Sequence, residues 1–155
     1  MNSSKILLVD DDEDILDLLE YNLTQEGYIV QTALNGKKAI EVANEFVPDL
    51  IILDVMMPEM DGIETCGEIR KNKQLANTII TFLTARGEDY SQIAGYEAGA
   101  DDYITKPIKP KVLFSKIKGL LRRAGIEAQL IEETASMKID REKYVVIQKG
   151  TEISL

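Results

Sequence analysis

Four strand-like runs in this chain each end on a residue with chemistry to offer. Ile6-Leu7-Leu8-Val9 leads into Asp10 and Asp11, and Leu50-Ile51-Ile52-Leu53 leads into Asp54. Thr78 to Leu83 leads into Thr84, and Asp102-Tyr103-Ile104-Thr105 leads into Lys106. Short runs of apolar and β-branched residues without polar alternation read as strands buried on both faces. A buried strand has no structural use for a charge at its end, so the carboxylates point to a site. Acids, a hydroxyl and an amine at four strand ends can converge only if the strands are parallel and adjacent.

The rest of the chain to Arg123 fits that requirement. Strand signals at Lys5–Val9, Tyr28–Thr32, Leu50–Leu53, Thr78–Leu83 and Asp102–Thr105 alternate with helical patterns. Ile15, Leu18, Leu19 and Leu23 fall on one predicted helix face, stopped by Gly27. Ala39, Ile40, Ala43 and Val47 form a second stripe, ended by Pro48. Val112, Leu113, Ile117, Leu120 and Leu121 form the last stripe, opened by Pro110. Repeated βα units imply an α/β fold, a five-stranded parallel sheet covered on both faces. In such a doubly wound sheet the ligand crevice lies beyond the carboxyl ends of the strands. Asp10, Asp11, Asp54, Thr84 and Lys106 all fall there.

After Arg123 the character changes. Residues 124–136 are polar and acidic and read as a linker, partly helical. Residues 137–155 read as a short β tail, with strands at Met137–Ile139, Tyr144–Gln148 and Thr151–Leu155 and a tight turn at Lys149-Gly150. So short a piece cannot bury a core alone. The expected organisation is a domain over 1–123, a linker over 124–136, and a cut-off second domain over 137–155.

Composition removes several function classes. With no histidine there is no histidine base, phosphocarrier or metal ligand. The net charge of −9, acidic on both sides of Arg123, offers no basic field for nucleic acid. The lone Cys66 permits no internal disulfide, suits a reducing cytoplasm and reads as a small buried helix residue. No apolar run approaches a membrane span, and the N-terminal apolar stretch meets Asp10 too soon for a secretion signal.

Clustered carboxylates repel one another unless a cation sits among them. With oxygen ligands only, Mg²⁺ is the natural choice, because it takes one or two carboxylates and accepts phosphate oxygens. That chemistry suits phosphoryl transfer. Asp54 is the best nucleophile, since a carboxylate attacking phosphorus gives an acyl phosphate. Lys106 can neutralise a phosphoryl oxygen. The Thr84 hydroxyl can donate to another, as can the Ala85 N–H at a following helix start. Each residue has a plainer reading alone. Asp12, Glu13 and Asp14 read as a capped acidic helix entry. Asp54 could start a local turn, Thr84 could be an N-cap, and Lys106 could be a surface amine. Ile15 stands where a calcium loop needs glycine. It is the joint placement at one sheet edge that outweighs the single readings.

Four segments, in order, carry a resemblance: Ile6 to Asp12, Leu53 to Gly62, Leu83-Thr84-Ala85, and Gly99 to Pro107. Over about four-fifths of its length the chain resembles the receiver domain of bacterial two-component response regulators. The resemblance implies strand order 2-1-3-4-5 and Asp54 as phosphoacceptor. It implies Mg²⁺ held by Asp11, Asp54 and the Met56 carbonyl, with Asp10 acting through water. Thr84 and Lys106 would bind the phosphoryl group, Thr84 and Tyr103 would form a switch pair, and Lys106–Pro107 would be a cis peptide that aims the lysine. A sensor histidine kinase would be the donor. Met56 and Arg86 would line the attacking water's path, and an apolar Met56 implies moderate rather than rapid autodephosphorylation. Residues 107–110 and the tail are similar to regulators with a winged-helix DNA-binding domain. DNA would then be reached only through a recognition helix beyond Leu155.

In that subclass, phosphorylated receivers form homodimers through the face made by the fourth helix, fifth strand and fifth helix. Asp101 with Lys116, Asp102 with Arg123, and Glu97 with Lys118 keep the right signs for ion pairs between copies. Gln92 and Val112 stand where the subclass pairs an Arg with a Glu, which implies a weaker or rebalanced dimer. Each pair taken singly also reads as ordinary solvated charge. Two other classes fit less well. A dehalogenase-like phosphatase needs an acid two residues after the nucleophile, where Met56 stands. A nucleotide-binding protein needs a glycine-rich loop after Val9, which is absent. A receiver acting through protein contacts alone is a fourth reading, against which the strand-like tail argues.

Overall fold

The five strand signals become five parallel strands in a computed structural model that describes residues 4–84 and 98–137, with side chains described to residue 125. The strands are β1 (Lys5–Val9), β2 (Ile29–Ala33), β3 (Leu50–Asp54), β4 (Ile79–Thr84) and β5 (Asp102–Thr105), and they form one sheet in the order β2-β1-β3-β4-β5. The expected order is the observed one. Asp54 and Thr84 are the last residues of their strands rather than the first of the loops. Strand β2 lies one residue later than the hydrophobic pattern placed it. β3 is buried along its whole length, and so is β4. Both are interior strands of the sheet, and so their sequences are largely apolar.

Helix α1 (Glu13–Gln25) starts at Asp12, whose carboxylate accepts from the Asp14 and Ile15 N–H groups. That is the capping role read from the sequence. Its buried residues are Leu16, Leu19 and Leu23: Leu19 and Leu23 belong to the expected stripe, Leu16 does not, and Leu18 is 57% exposed. An i, i+3, i+7 choice was available with Leu16 or with Leu18 at its edge, and the helix rotates Leu16 inward. Helix α2 (Gly36–Phe46) buries Ala39 and Ala43 and ends before Val47. Val47, expected within the helical stripe, adopts φ 47° and donates its N–H to Ala43 O. Pro48 disfavours helical dihedrals at the residue before it, so the chain leaves the helix there. Helix α3 (Gly62–Arg70) buries Thr65, Cys66 and Ile69. Its apolar stripe is too short to stand out in the sequence.

The last helix is longer than expected. It runs from Pro110 to Met137, through the segment read as a linker and onto the first residue of the expected β tail. Residues 124–136 hold no proline and are rich in Ala and Glu. Alanine and glutamate favour helix even without an apolar stripe. The chain divides into two units, Met1–Lys118 and Gly119–Leu155. In the first, Leu113 and Ile117 are buried, while Val112 is 57% exposed despite its place in the expected stripe. In the second, the helix continues to Met137. The expected strands after Met137 lie outside the described residues. Among the described residues, no helix is long and apolar enough to cross a membrane.

Candidate functional site

Register brings the strand-end residues together. Val9 sits opposite Leu53, so Asp10 emerges beside Asp54. Asp54 sits opposite Leu83, and Thr84 opposite Thr105, so Thr84 and Lys106 emerge next in line. Lys106 donates its backbone N–H to Thr84 O at 2.8 Å, which starts the lysine at the β4 edge. The Lys106–Pro107 peptide is cis, as expected.

The side chains converge accordingly. Lys106 Nζ lies 3.4 Å from Asp54 Oδ1 and 3.7 Å from Asp10 Oδ2. Asp54 Oδ1 also accepts from the Met56 N–H at 3.4 Å. Asp10 Oδ1 accepts from the Asp12 N–H at 2.9 Å, whereas Asp10 Oδ2 is buried without a hydrogen-bond partner. Carboxylate oxygens of Asp10, Asp11 and Asp54 lie within 4.8 Å of one another. Asp10, Asp54 and Thr84 are buried, and Asp11 is exposed at the mouth. Met56 turns its side chain to solvent, 62% exposed, while Met57 is buried.

Burial is the main cause that pushes the Asp54 carboxyl up to about 6, the Asp10 charge adds to it, and Lys106 opposes it. Asp10 is raised as well, again chiefly by burial, against the Asp12 N–H and Lys106. Two neighbouring acids thus pay for desolvation with only one amine between them. A hard divalent cation fits this donor set. All available ligands are oxygens, three carboxylates stand within reach of one point, and a buried carboxylate oxygen lacks a partner.

The loop after Asp54 is held by a residue that chemistry alone would not single out. Gly62 donates its N–H to Val55 O at 2.9 Å, and a Cβ at Gly62 would collide with Asp54 O and come within 2.8 Å of Val55 Cα. Only glycine lets α3 begin directly against the end of β3. Asp61 is its cap, accepting from the Glu64 N–H at 2.8 Å. Cys66 is buried, and burial pushes its thiol up to about 11, as suits the inert role read from the sequence.

The remaining expected residues lie along β5 and the last helix. Tyr103 is partly buried against the core. Within the chain, Asp102 pairs with Lys116 at 3.4 Å, and Lys116 Nζ also donates to Tyr103 O at 3.4 Å. Asp101 pairs with Arg70 at 3.0 Å, a partner that sequence reasoning missed. Lys118 is exposed, as is Arg123 in the second unit. Ala85, Arg86, Gln92 and Glu97 lie outside the described residues.

Comparison with known proteins agrees with this geometry. Residues 6–118 match the family described as the response regulator receiver domain. The alkaline phosphatase synthesis transcriptional regulatory protein PhoP of Bacillus subtilis is 47% identical over 81% of this chain and 52% of its own length. The transcriptional regulatory protein ResD of the same organism is 42% identical over 99% of this chain and 66% of its own. The chain therefore spans about half to two-thirds of the length of these curated relatives. A putative response regulator from Chloroflexus aurantiacus superposes with a TM-score of 0.73 at 37% identity, over 77% of this chain and 98% of that one. The chemotaxis protein CheY4 of Vibrio cholerae gives 0.72 at 33%, over 75% and 97%. With that sheet order, that cluster of acids and these relatives, the chain belongs to the response regulator receiver domain family.

Proposed function

We propose that this chain is a Mg²⁺-dependent phosphoryl acceptor whose modification switches a subunit contact and, through it, transcription. The observation that carries the proposal is Asp54. It is a buried carboxylate at a strand end, grouped with Asp10 and Asp11 and 3.4 Å from the Lys106 amine. A sensor histidine kinase is the donor. An Asp54 oxygen attacks phosphorus, the P–N bond of the phosphohistidine breaks, and the imidazole nitrogen keeps the electron pair. Acetyl phosphate serves as a small donor by the same attack, with a P–O bond breaking. The bound cation supplies positive charge against the phosphoryl oxygens. Asp11, Asp54 and the Met56 carbonyl hold it, with Asp10 acting through water. Lys106 neutralises one phosphoryl oxygen as a point charge. The Thr84 hydroxyl and the Ala85 N–H donate to the others.

Loss of phosphate is attack by water at phosphorus, which restores the Asp54 carboxylate. The exposed thioether of Met56 offers that water neither a proton acceptor nor a strong hydrogen bond, which keeps the loss moderate. The phosphoryl group adds roughly −1.5 to −2 of charge beside Thr84. Thr84 and Tyr103 transmit that change to β5 and the last helix, where two copies pair. Control of transcription is inferred from the transcriptional regulatory proteins to which this chain is similar, and a cytoplasmic setting follows from kinase and output alike.

Incubation with acetyl phosphate and Mg²⁺, followed by intact mass and sedimentation, tests the proposal. The wild type gains one phosphoryl group and doubles its mass in solution. Asp54→Ala does neither, and chelating the cation blocks uptake. Uptake that is unchanged in Asp54→Ala removes the acceptor role.

A further inference from the structure

Among the described residues of the first unit, Arg70 is the most heavily engaged side chain outside the Asp54 site. At the end of α3 it donates Nε to Gly99 O at 2.9 Å and Nη1 to Leu75 O at 2.9 Å and Thr78 O at 2.8 Å. Nη2 reaches Asp101 Oδ2 at 3.0 Å. The socket is shaped for it. Gly99 adopts φ +113°, and a Cβ there would come within 2.8 Å of Arg70 Cγ. Asp101 Oδ2 takes a second hydrogen bond, from the Ile80 N–H at 2.9 Å. Both bonds fall on the same oxygen, and among the described residues none falls on Oδ1. The Asp101 side chain remains 46% exposed.

We propose that Arg70 is a positioning residue for the subunit contact: it clamps Asp101 Oδ2 within the chain so that Oδ1 stands ready for a cation of a second copy. The inference rests on the dimer reading above and deepens it. A free surface aspartate loses rotamer freedom when it enters an interface, whereas a clamped one has already lost it. The same edge offers the complementary charges. Lys116 already reaches across to Asp102 at 3.4 Å, and Lys118 is exposed one position past buried Ile117. Acid and base on one surface are what a two-fold contact between identical chains requires. The planar guanidinium satisfies four acceptors in fixed directions, which a lysine ammonium cannot reproduce.

The test uses the full chain with acetyl phosphate and Mg²⁺, with phosphoryl uptake read by intact mass and the monomer–dimer constant by sedimentation equilibrium. Wild type, Arg70→Met, Asp101→Asn and the double variant are compared, with folding checked by circular dichroism. Arg70→Met takes up phosphate as the wild type does but dimerises about tenfold more weakly. The double variant is no weaker than the weaker single variant, because both break one device. A contribution to folding alone would leave the dimer constant of the folded fraction unmoved and the two effects additive. Should Arg70→Met not fold, Arg70→Lys takes its place, with a smaller loss of dimer at unchanged uptake. A folded, phosphorylated Arg70 variant that pairs like the wild type overturns this inference alone. A wild type that is phosphorylated yet monomeric overturns the dimer reading and this inference together, leaving the acceptor role standing. A wild type that takes up no phosphate overturns all three.

Discussion

Burial and the Asp10 charge lift Asp54 from 3.8 to about 6, so the folded chain binds a proton there more tightly than the unfolded chain does. Between those two values the folded state holds more protons, and stability therefore falls as pH rises from about 4 to about 6. The fall amounts to up to about 3 kcal/mol for a shift of this size. Below that window the group is protonated in both states and costs nothing. Denaturant unfolding of metal-free protein across pH 4 to 7 reads this directly, and Asp54→Asn flattens the decline. Millimolar Mg²⁺ reverses it, since a ligand of the ionised folded form stabilises by mass action. A stability curve that rises with pH in chelator would contradict the burial of an unshielded charge. Asp54, its neighbouring acids and Lys106 were all legible in the sequence, because each stands just where a strand signal stops. Arg70 was not. Its partners are three backbone carbonyls and one carboxylate, and no residue pattern records a carbonyl that the fold alone brings into range. Asp101 was read only as an outward contact for the same reason.

Glycine in the short elements separates packing from propensity. Gly62 and Gly67 both lie in α3, yet a Cβ at Gly62 strikes the end of β3, while one at Gly67 meets nothing within 4 Å. Gly67→Ala should raise stability by about 0.5–1 kcal/mol, the ordinary helical preference for alanine. Gly62→Ala should lower it by about 1–3 kcal/mol, the usual cost of overpacking, and should slow phosphoryl uptake because the strained atoms are those of Asp54 and Val55. Thermal unfolding with acetyl phosphate kinetics checks both, and equal behaviour of the two variants would mean the loop yields freely. At this scale the sequence was strongest on element order and weakest on element ends and faces. Leu16 and Leu18 are the same residue type two positions apart, and only packing against the sheet chooses between them. The segment after Arg123, expected to be a partly helical linker, is helical through to Met137, because intrinsic propensity suffices there without an apolar stripe.

Net charge governs what two whole chains do when they meet. Each copy carries −9, and phosphorylation adds roughly −1.5 to −2 more, partly offset by the bound cation. Pairing therefore opposes a long-range repulsion with a few close ion pairs at the contact. The two have different reach. At about 0.01 M salt the Debye length of roughly 30 Å lets the net charges act across a whole domain, while at 0.1 M it is about 10 Å. Close pairs with partly buried partners are screened far less at that point. Screening therefore removes the repulsion first and the attraction later. The dimer of the phosphorylated chain should tighten as NaCl rises from about 0.01 to 0.1–0.15 M, then weaken toward 1 M, where the Debye length of about 3 Å reaches the pairs themselves. Sedimentation equilibrium at a series of salt concentrations, with Mg²⁺ and phosphoryl occupancy held constant, measures this. Affinity that falls steadily from the lowest salt would mean the close pairs outweigh net charge at every range. Affinity that rises steadily to 1 M would mean that apolar contact around exposed Val112 holds the copies together, and that the charges on this face serve mainly to keep wrong partners apart.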